Sequence, residues 1–400
     1  MAGRSKKFNK RSAIFIIAVI AILAIAAVIV YFVAPDIFGK LAPSPGGDTS
    51  AGDGPPLIAG EGELQVHFMD VGQGDSILIL FPDGKDMLID CANFNNASSY
   101  RTKILAYIDN YVTDGQLDYL MLTHCDGDHV YFMDEVLEKY DVDTVFMPNV
   151  LAEPSGTQSS DRLQAEIDAL DQSKVGMFTD EDTVDSNAYA EFFIAALSEP
   201  DCEVILTVDP DKDTNSIVIT DGTKQADGSY AGATYMLTFY CPTEEYYASS
   251  DLSSAEERNA ISPIGILEYN GVRVVLTGDS NEINEPLFVE RAGYIDCDVL
   301  KVGHHGSETS STEEFLDAVD CEYAIISCNA EGNKFYHPRQ NTLDRLIEDG
   351  MTIYRTDNNG NILLTVDENG EMTFTTEREA DQAVNSDGWT DEEIDEAEKK

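Results

Sequence analysis

Basic residues are scarce in this sequence, and their scarcity limits the partners that the protein can have. Lysine and arginine number 25 against 74 aspartates and glutamates, and the formal net charge is −49 over 400 residues. A strongly anionic surface keeps a protein soluble but attracts the phosphate backbone of a long nucleic acid poorly. The composition therefore argues against a protein that grips a long duplex through a basic face.

The sequence also lacks a CxxC pair, a regular cysteine framework and an internal repeat of fixed short period. Its seven cysteines are scattered, and an odd number outside the membrane leaves at least one thiol unpaired. In a chain of this size we expect most of them to be buried as small hydrophobic side chains. A disulfide, if one forms, cannot be assigned from the sequence.

One long uncharged run is present, near the start of the chain. Residues 13–34, AIFIIAVIAILAIAAVIVYFVA, follow a basic segment, residues 1–12, that contains no acid. A helix of this length spans roughly 33 Å at ~1.5 Å per residue, enough to cross a bilayer. The apolar part of a cleaved signal peptide is usually only about 7–15 residues long. We therefore expect an uncleaved single-pass anchor in the cell membrane, with the basic segment cytoplasmic and the remaining chain extracellular.

The rest of the chain divides by composition. Residues 35–62 are rich in proline, glycine and serine and predict a flexible linker. Residues 63–375 carry alternating strand and helix patterns that predict one α/β domain, with an irregular acidic insertion at about 151–240. Residues 376–400 form an acidic tail.

Histidine is rare, yet five of the six histidines cluster in three places, while His67 lies within a strand pattern. The loop LTHCDGDHVYF follows the predicted strand LDYLML and offers four possible ligands: His124, Asp126, Asp128 and His129. Imidazole and carboxylate together suit zinc, and sets rich in carboxylate also suit manganese. The loop therefore predicts a metal site at the carboxyl end of a strand.

Further ligands follow two other predicted strands. LTGDS provides Asp279, and KVGHHGSETS provides His304 or His305, between which the pattern does not decide. Because open α/β sheets place their sites at the carboxyl ends of strands, we expect these groups to meet the histidine loop. A carboxylate can bridge two ions, so the set predicts two divalent metal ions, zinc or alternatively manganese.

Taken together, these motifs resemble a known family. DVGQGDSILILFPDGKDMLID, LTHCDGDH, VVLTGDS, VLKVGHHGS and YHP, in this order, resemble the metallo-β-lactamase fold over about residues 64–366. They are most similar to the branch found as the extracellular domain of ComEC-type competence proteins, which take up DNA. The resemblance implies an α/β sandwich of the αβ/βα type, with two mixed sheets and outer helices, here preceded by the N-terminal transmembrane helix.

The resemblance also implies roles for individual residues. It assigns Asp279 as a bridging ligand, Asp128 as a catalytic ligand, and His337 as a proton donor or phosphate contact. The implied metal ligands are His124, Asp126, Asp128, His129, Asp279 and one of His304 and His305. Residues implied to support the site or to contact substrate are Asp70, Asp75, Asp90, Asn259 and Ser307.

One departure from the family pattern bears on the first ion. Many members have a further metal histidine before the bridging aspartate, but no histidine occurs between Val130 and Gly303 here. Asn259 and Ser262 occupy that neighbourhood, so we expect the first ion to be held weakly.

The function that the resemblance implies is hydrolysis by a hydroxide that the metal ions activate. A phosphodiester is the favoured substrate, in a nucleic acid or a cell-surface component. Hydrolysis of a lactam, lactone or thioester is the alternative within the enzyme class. A non-catalytic surface-tethered binding protein that retains the fold is the alternative outside it. The sequence leaves the oligomeric state open.

Overall fold

The computed structural model describes residues 62–156, 158–178, 183–212, 214–329 and 334–399. The predicted cytoplasmic segment and anchor, residues 1–34, lie outside the described residues, as does the predicted linker except for its last position. In the part of the chain that is described, no helix has both the length and the apolar character needed to cross a bilayer.

Two mixed sheets dominate the described residues. The first has eight strands in the order β19-β18-β1-β2-β3-β4-β5-β8. Its strands are β1 (Leu64–Phe68), β2 (Ile77–Leu80), β3 (Asp86–Ile89), β4 (Gln116–Met121), β5 (Asp141–Met147), β8 (Glu203–Leu206), β18 (Ile362–Val366) and β19 (Met372–Thr376). The run β3-β4-β5-β8 is parallel and the remaining pairs are antiparallel.

The second sheet has seven strands in the order β17-β16-β15-β14-β13-β12-β9. Its strands are β9 (Ile217–Thr220), β12 (Tyr235–Tyr240), β13 (Ile264–Tyr269), β14 (Val272–Leu276), β15 (Val299–Lys301), β16 (Tyr323–Ile326) and β17 (Thr352–Arg355). The run from β14 to β17 is parallel. Two small sheets pair β6 (Leu151–Glu153) with β7 (Thr183–Asp185), and β10 (Thr223–Lys224) with β11 (Tyr230–Ala231).

Helices follow most of the parallel strands. Those before the second sheet's parallel run are α1 (Ser98–Ile108), α2 (Gly127–Val130), α3 (Met133–Lys139), α4 (Gln158–Ala169), α5 (Gln172–Val175), α6 (Asn187–Ser198), α7 (Glu244–Ser249) and α8 (Ala255–Asn259). The later ones are α9 (Glu285–Ala292), α10 (Glu313–Val319), α11 (Gln340–Glu348), α12 (Thr356–Asn359), α13 (Gln382–Asn385) and α14 (Asp391–Ala397). A single 3₁₀ turn spans Gly303–Gly306.

Three apolar clusters show how the layers pack. The central cluster joins inward residues of both sheets, such as Phe68 and Ile79 from the first and Leu267 and Val274 from the second. A second cluster packs α1, α3 and α6 on the outer face of the first sheet, and a third packs α9, α10 and α11 on the second. Strand residues alternate between these faces because successive side chains point to opposite sides of a sheet. The predicted αβ/βα sandwich of two mixed sheets is therefore confirmed.

The predicted insertion is part of this architecture. It supplies β8 to the first sheet, β9 and β12 to the second, and the buried helix α6. The acidic residues at the end of the chain also contact the domain, since Nη2 of Arg339 lies 2.5 Å from Oδ1 of Asp391. A disulfide links Cys297 to Cys321, a pairing that the sequence could not assign, and the other five cysteines are free and buried.

The strand ends fix the position of the site. Strands β3 and β4 are parallel neighbours in the first sheet, and β14 and β15 are parallel neighbours in the second. Their carboxyl ends lead directly into Asp90, His124, Asp279 and the pair His304 and His305. Residues far apart in sequence therefore meet at one edge of the sandwich.

Candidate metal centre

The histidine loop after β4 is folded tightly against the neighbouring chain. His124 and His129 are both fully buried, and their ring centroids are 4.1 Å apart. The backbone carbonyls of Asp128 and His129 accept hydrogen bonds from the amides of Asp75 and Cys91, at 3.0 Å each. The loop therefore cannot move its two imidazoles independently of the strands beside it.

Asp279 lies at the centre of the cluster, and its two carboxylate oxygens face different histidines. Oδ1 lies 3.1 Å from Nε2 of His129 and 3.5 Å from Nε2 of His305. Oδ2 lies 3.9 Å from Nε2 of His124 and 3.8 Å from Nε2 of His304. This division is what a carboxylate needs in order to contact two cations at once.

His304 and His305 are adjacent in the chain but face different carboxylate oxygens of Asp279. His305 is buried and donates its Nδ1–H to the carbonyl of Ser327, 2.8 Å away, which leaves Nε2 at 3.5 Å from Oδ2 of Asp128. His304 is more exposed and lies on the Oδ2 side of Asp279. Both residues have left-handed φ values, 46° and 54°. Such values are costly for a histidine and are typical of functional sites, where the surrounding structure imposes them.

The orphaned atoms show that these residues fit metal ions. Among the described residues, Nε2 of His124, His129 and His305 and Oδ1 of Asp279 are buried and make no hydrogen bond of good geometry, although Oδ1 of Asp279 lies 3.1 Å from Nε2 of His129. Two sets, His124 with His129 and Asp279, and Asp128 with His129 and His305, have ligand atoms within 4.8 Å of one another. Buried polar atoms are normally paired, so a group of unpaired imidazole and carboxylate atoms pointing together indicates a cation site.

The acids and the histidines of the cluster shift each other's pKa values. Burial alone would raise the pKa of Asp279, but His305, His129 and His304 outweigh it and hold that pKa well below its ordinary value. Burial likewise opposes protonation of His129, yet Asp279 and Asp90 raise its pKa well above the usual range. Asp279 is thus held as a carboxylate, the form that binds a cation.

Asp90 supports the centre as predicted from the sequence. One of its oxygens lies 2.7 Å from Nδ1 of His129 and accepts the hydroxyl of Thr123 at 2.8 Å, and the other accepts the amide of Thr123 at 2.8 Å. A carboxylate in this position fixes the orientation of the ring, so that Nε2 faces the centre.

Replacing Asp90 by asparagine is expected to lower zinc affinity or turnover by about 10–100-fold, the usual cost of losing such a support. The fold should be retained because asparagine has the same shape. Zinc affinity is measured by competition with a fluorescent chelator. Asp86→Asn, at the other end of β3, is the matched control, and equal losses in both variants would contradict the assigned role of Asp90.

Asp126 has a partner outside the cluster. Its carboxylate lies 2.6 Å from Nε of Arg258, and it belongs to none of the compact sets of ligand atoms. The neighbourhood of the missing histidine is filled as expected. Ser262 lies 3.3 Å from Nδ1 of His124, and Nδ2 of Asn259 lies 3.2 Å from Nε2 of His304.

The remaining predicted residues lie at different distances from the centre. Asp75 forms a buried ion pair with Lys301, 2.8 Å apart, and also lies within 4.8 Å of ligand atoms of Asp279 and His305. Asp70 instead forms ion pairs with Lys103 and Arg378, at 3.4 and 3.3 Å. The hydroxyl of Ser307 lies 3.1 Å from that of Thr309, within its own turn.

A cavity of about 670 Å³ opens onto the cluster and reaches His337. The ring centroid of His337 is 5.1 Å from that of His304. Burial, and then the neighbouring histidines, lower the pKa of His337 to about 3, so its ring is neutral near neutral pH. A neutral imidazole at this wall can donate one N–H to a bound substrate.

The sequence did not single out several residues of this cavity. Gln73, Phe94, Arg258 and Phe335 line it, and they come from four separate loops or helix ends. Phe335 directly precedes the YHP motif and Gln73 lies inside DVGQGD, so proximity to a motif was the available signal. Arg258 directly precedes Asn259, whereas Phe94 carries no such signal.

Comparisons with known proteins show which proteins the chain is similar to. Residues 69–222 match the family described as Metallo-beta-lactamase superfamily. The chain is 27% identical over 320 residues to ComE operon protein 3 of Bacillus subtilis (strain 168), a match that covers 77% of this chain and 33% of that protein. It is 37% identical over 91 residues to Competence protein ComA of Neisseria gonorrhoeae, covering 22% of this chain and 13% of that protein.

Among solved structures, the chain is similar to the metallo-beta-lactamase fold protein YhfI from Bacillus subtilis. Sequence identity is 10%, the TM-score is 0.38, and the match covers 78% of this chain and all of that one (100%). The matched region is 33% or less of the length of the two curated relatives. The predicted resemblance is confirmed: residues 69–222 are similar to the metallo-beta-lactamase superfamily, and 320 residues of the chain are similar to ComE operon protein 3. The similarity to this superfamily implies divalent metal ions, for which the His and Asp cluster is the candidate site.

Proposed function

We propose that this protein is a metal-dependent phosphodiesterase that acts on nucleic acid or on a phosphodiester of the cell surface. The observation that carries the proposal is the division of Asp279, with one carboxylate oxygen facing His129 and His305 and the other facing His124 and His304. Such a carboxylate would hold one ion on each side, as catalysis by paired metals requires.

The chain supplies the two half-sites unequally. Asp128, His129, His305 and Oδ1 of Asp279 surround the half-site of the second ion. His124, His304 and Oδ2 of Asp279 surround the half-site of the first ion, where Asn259 stands in place of a further imidazole. The many imidazoles favour zinc over manganese. When bound, two such ions would lower the pKa of a water molecule and offset charge that develops on the phosphoryl oxygens.

Hydrolysis adds water across the P–O bond, and the protein's own groups have separate parts in it. The water oxygen bonds to phosphorus, the bond to the leaving oxygen breaks, and that oxygen takes up a proton. His337, on the cavity wall beside His304, is placed to hydrogen-bond a phosphoryl or leaving oxygen through its N–H. Asp90 holds His129 in the orientation that keeps the half-site open.

Turnover of bis(p-nitrophenyl) phosphate by the full-length chain tests the proposal, with zinc or manganese added and with EDTA. We expect hydrolysis that requires the ion, and a loss of about 10²-fold or more in Asp128→Ala because a ligand worth several kcal/mol is removed. Hydrolysis of a β-lactam, lactone or thioester in preference to the phosphodiester would contradict it.

A non-catalytic binding protein is the second candidate, and the ion pair between Asp126 and Arg258 favours it. That pair occupies one predicted ligand, in a chain that already lacks a histidine for the first ion. This alternative expects zinc to bind without any turnover in the wild type, and no change in Asp128→Ala.

The apolar run at residues 13–34 supports a location at the cell membrane, with the domain outside. Fractionation of cells and digestion of intact cells by an added protease test it. The proposed location expects the chain in the membrane fraction and its domain cleaved from outside. Recovery of the uncleaved chain in the soluble fraction would contradict the location.

A further inference from the structure

The mouth of the cavity carries side chains that the proposed hydrolysis does not use. Phe94 and Phe335 both line the cavity, and their ring centroids are 4.7 Å apart at an angle of 89°. Nζ of Lys334 lies 4.7 Å from the centroid of Phe94 and 5.2 Å from that of Phe335. We call these three residues the aromatic mouth.

Gln73 adds a polar group to the same wall. Its side chain is 3% exposed, and neither Oε1 nor Nε2 has a hydrogen-bond partner among the described residues. Its backbone carbonyl accepts the amide of Phe94 at 2.7 Å, so the glutamine and the phenylalanine are held together. A buried carboxamide without a partner is costly, and at a cavity wall it indicates a ligand with both donors and acceptors.

A series of similarly tilted rings connects the aromatic mouth to the metal centre. The ring of His337 lies 6.1 Å from Phe335 and 6.5 Å from His305, with an angle of 26° in each case. A flat group at Phe335 therefore lies only two ring steps from a candidate metal ligand. A substrate that occupies both the aromatic mouth and the metal centre must therefore extend past His337.

The charges at the aromatic mouth select between the two substrate classes left open above. The ammonium of Lys334 already lies over both phenyl rings, so a quaternary ammonium headgroup would meet a like charge there. A neutral nucleobase has a face that stacks on an aromatic ring, and its phosphate is attracted to the lysine. The arrangement therefore favours a nucleotide over a cell-surface phosphodiester whose headgroup is a quaternary ammonium, such as phosphocholine.

We propose that the aromatic mouth and Gln73 bind one unstacked nucleobase, and that the substrate is therefore a single-stranded end or a short oligonucleotide. This rests on the proposed phosphodiesterase function and narrows its substrate. It also fits the net charge of −49, because one stacked base and one ammonium provide affinity without a basic surface. A duplex keeps its bases paired and cannot present one in this way.

Calorimetric titration of the full-length chain with tetrathymidylate tests the proposal. An abasic tetramer of the same length and charge is titrated in parallel, and both are measured in EDTA so that no hydrolysis occurs. We expect the wild type to prefer tetrathymidylate. Phe335→Ala should weaken its binding by at least about fivefold, the lower end of the cost of losing one base stack, with no effect on the abasic tetramer.

Two variants make the outcome specific. Phe335→Tyr retains a stacking face and should bind as the wild type does. Tyr294→Ala removes an aromatic ring that is 66% exposed and lies outside the cavity, so it should also bind normally. An equal affinity of the wild type for the two tetramers, an absence of binding, or stronger binding of phosphocholine would overturn the proposal. Binding without hydrolysis in zinc would instead overturn the phosphodiesterase and leave the base subsite standing.

Discussion

Replacing Asp279 by asparagine is expected to remove bound zinc and to lower phosphodiester turnover by about 10³-fold or more. Asp279 is 2% exposed, and its oxygens approach imidazoles from four histidines. Asparagine has the same shape but no charge, so both half-sites lose their shared anion. Stabilisation of several kcal/mol disappears with the ions, and each 1.36 kcal/mol corresponds to a factor of ten in rate.

The measurement combines zinc content by mass spectrometry with turnover of the same preparation, and far-ultraviolet circular dichroism confirms the fold. Asp227→Asn is the control, because Asp227 lies in an exposed turn where it binds Ser229. If Asp279→Asn kept its zinc and its turnover, Asp279 would not be a metal ligand. A loss of zinc in both variants would point to a general effect of charge.

Replacing Lys301 by methionine is expected to lower the free energy of unfolding by about 3–5 kcal/mol. Lys301 and Asp75 form an ion pair whose side chains are 0% and 2% exposed, with Nζ and Oδ2 2.8 Å apart. Burial would raise the pKa of Asp75, but Lys301 and nearby histidines hold that pKa below its ordinary value. Methionine fills the same space and leaves a buried carboxylate without its counter-ion.

Urea unfolding in EDTA measures the effect, since a bound cation could otherwise replace the lysine charge. Lys139→Met is the matched control: its ion pair with Asp109 is exposed, 35% and 47%, and its loss should cost no more than about 1 kcal/mol. The double variant Asp75→Asn with Lys301→Met should recover part of the loss. Equal and small losses at both lysines would show that the buried pair contributes little.

Local patterns were sufficient to predict that the candidate ligands meet. His124, Asp279 and the pair His304 and His305 each follow an apolar strand, and parallel strands bring their carboxyl ends to a shared edge. The fold class followed from the same alternation of strands and helices. These features depend on residues close together in the chain.

Features that depend on distant partners could not be predicted. Asp126 has the spacing of a ligand, but Arg258, 132 positions later, binds its carboxylate. The pair of Asp75 and Lys301 spans 226 positions, and neither residue has a local pattern that predicts it. Such charged residues become partners only when the folded chain brings distant segments together.

Helix ends and one buried helix also differ from the sequence patterns. The pattern STEE at residues 311–314 has the form of a capping box and predicts Ser311 as a helix cap. In the structure, Thr312 caps α10 at the amide of Phe315. Glu285 of α9 accepts the amides of both Ser311 and Thr312 and so fixes the start. The helix α6 carries no amphipathic pattern, because NAYAEFFIAALS is apolar on most sides, as expected for a buried helix.

Anomalous diffraction at the zinc edge, from crystals of the chain grown with zinc, tests the central claim most directly. We expect two peaks, one on each side of Asp279. One peak should lie within ligand distance of Asp128, His129 and His305, and the other should lie near His124 and His304. A peak at Asp126 and Arg258 instead, or no peak among these histidines at saturating zinc, would contradict the proposed centre.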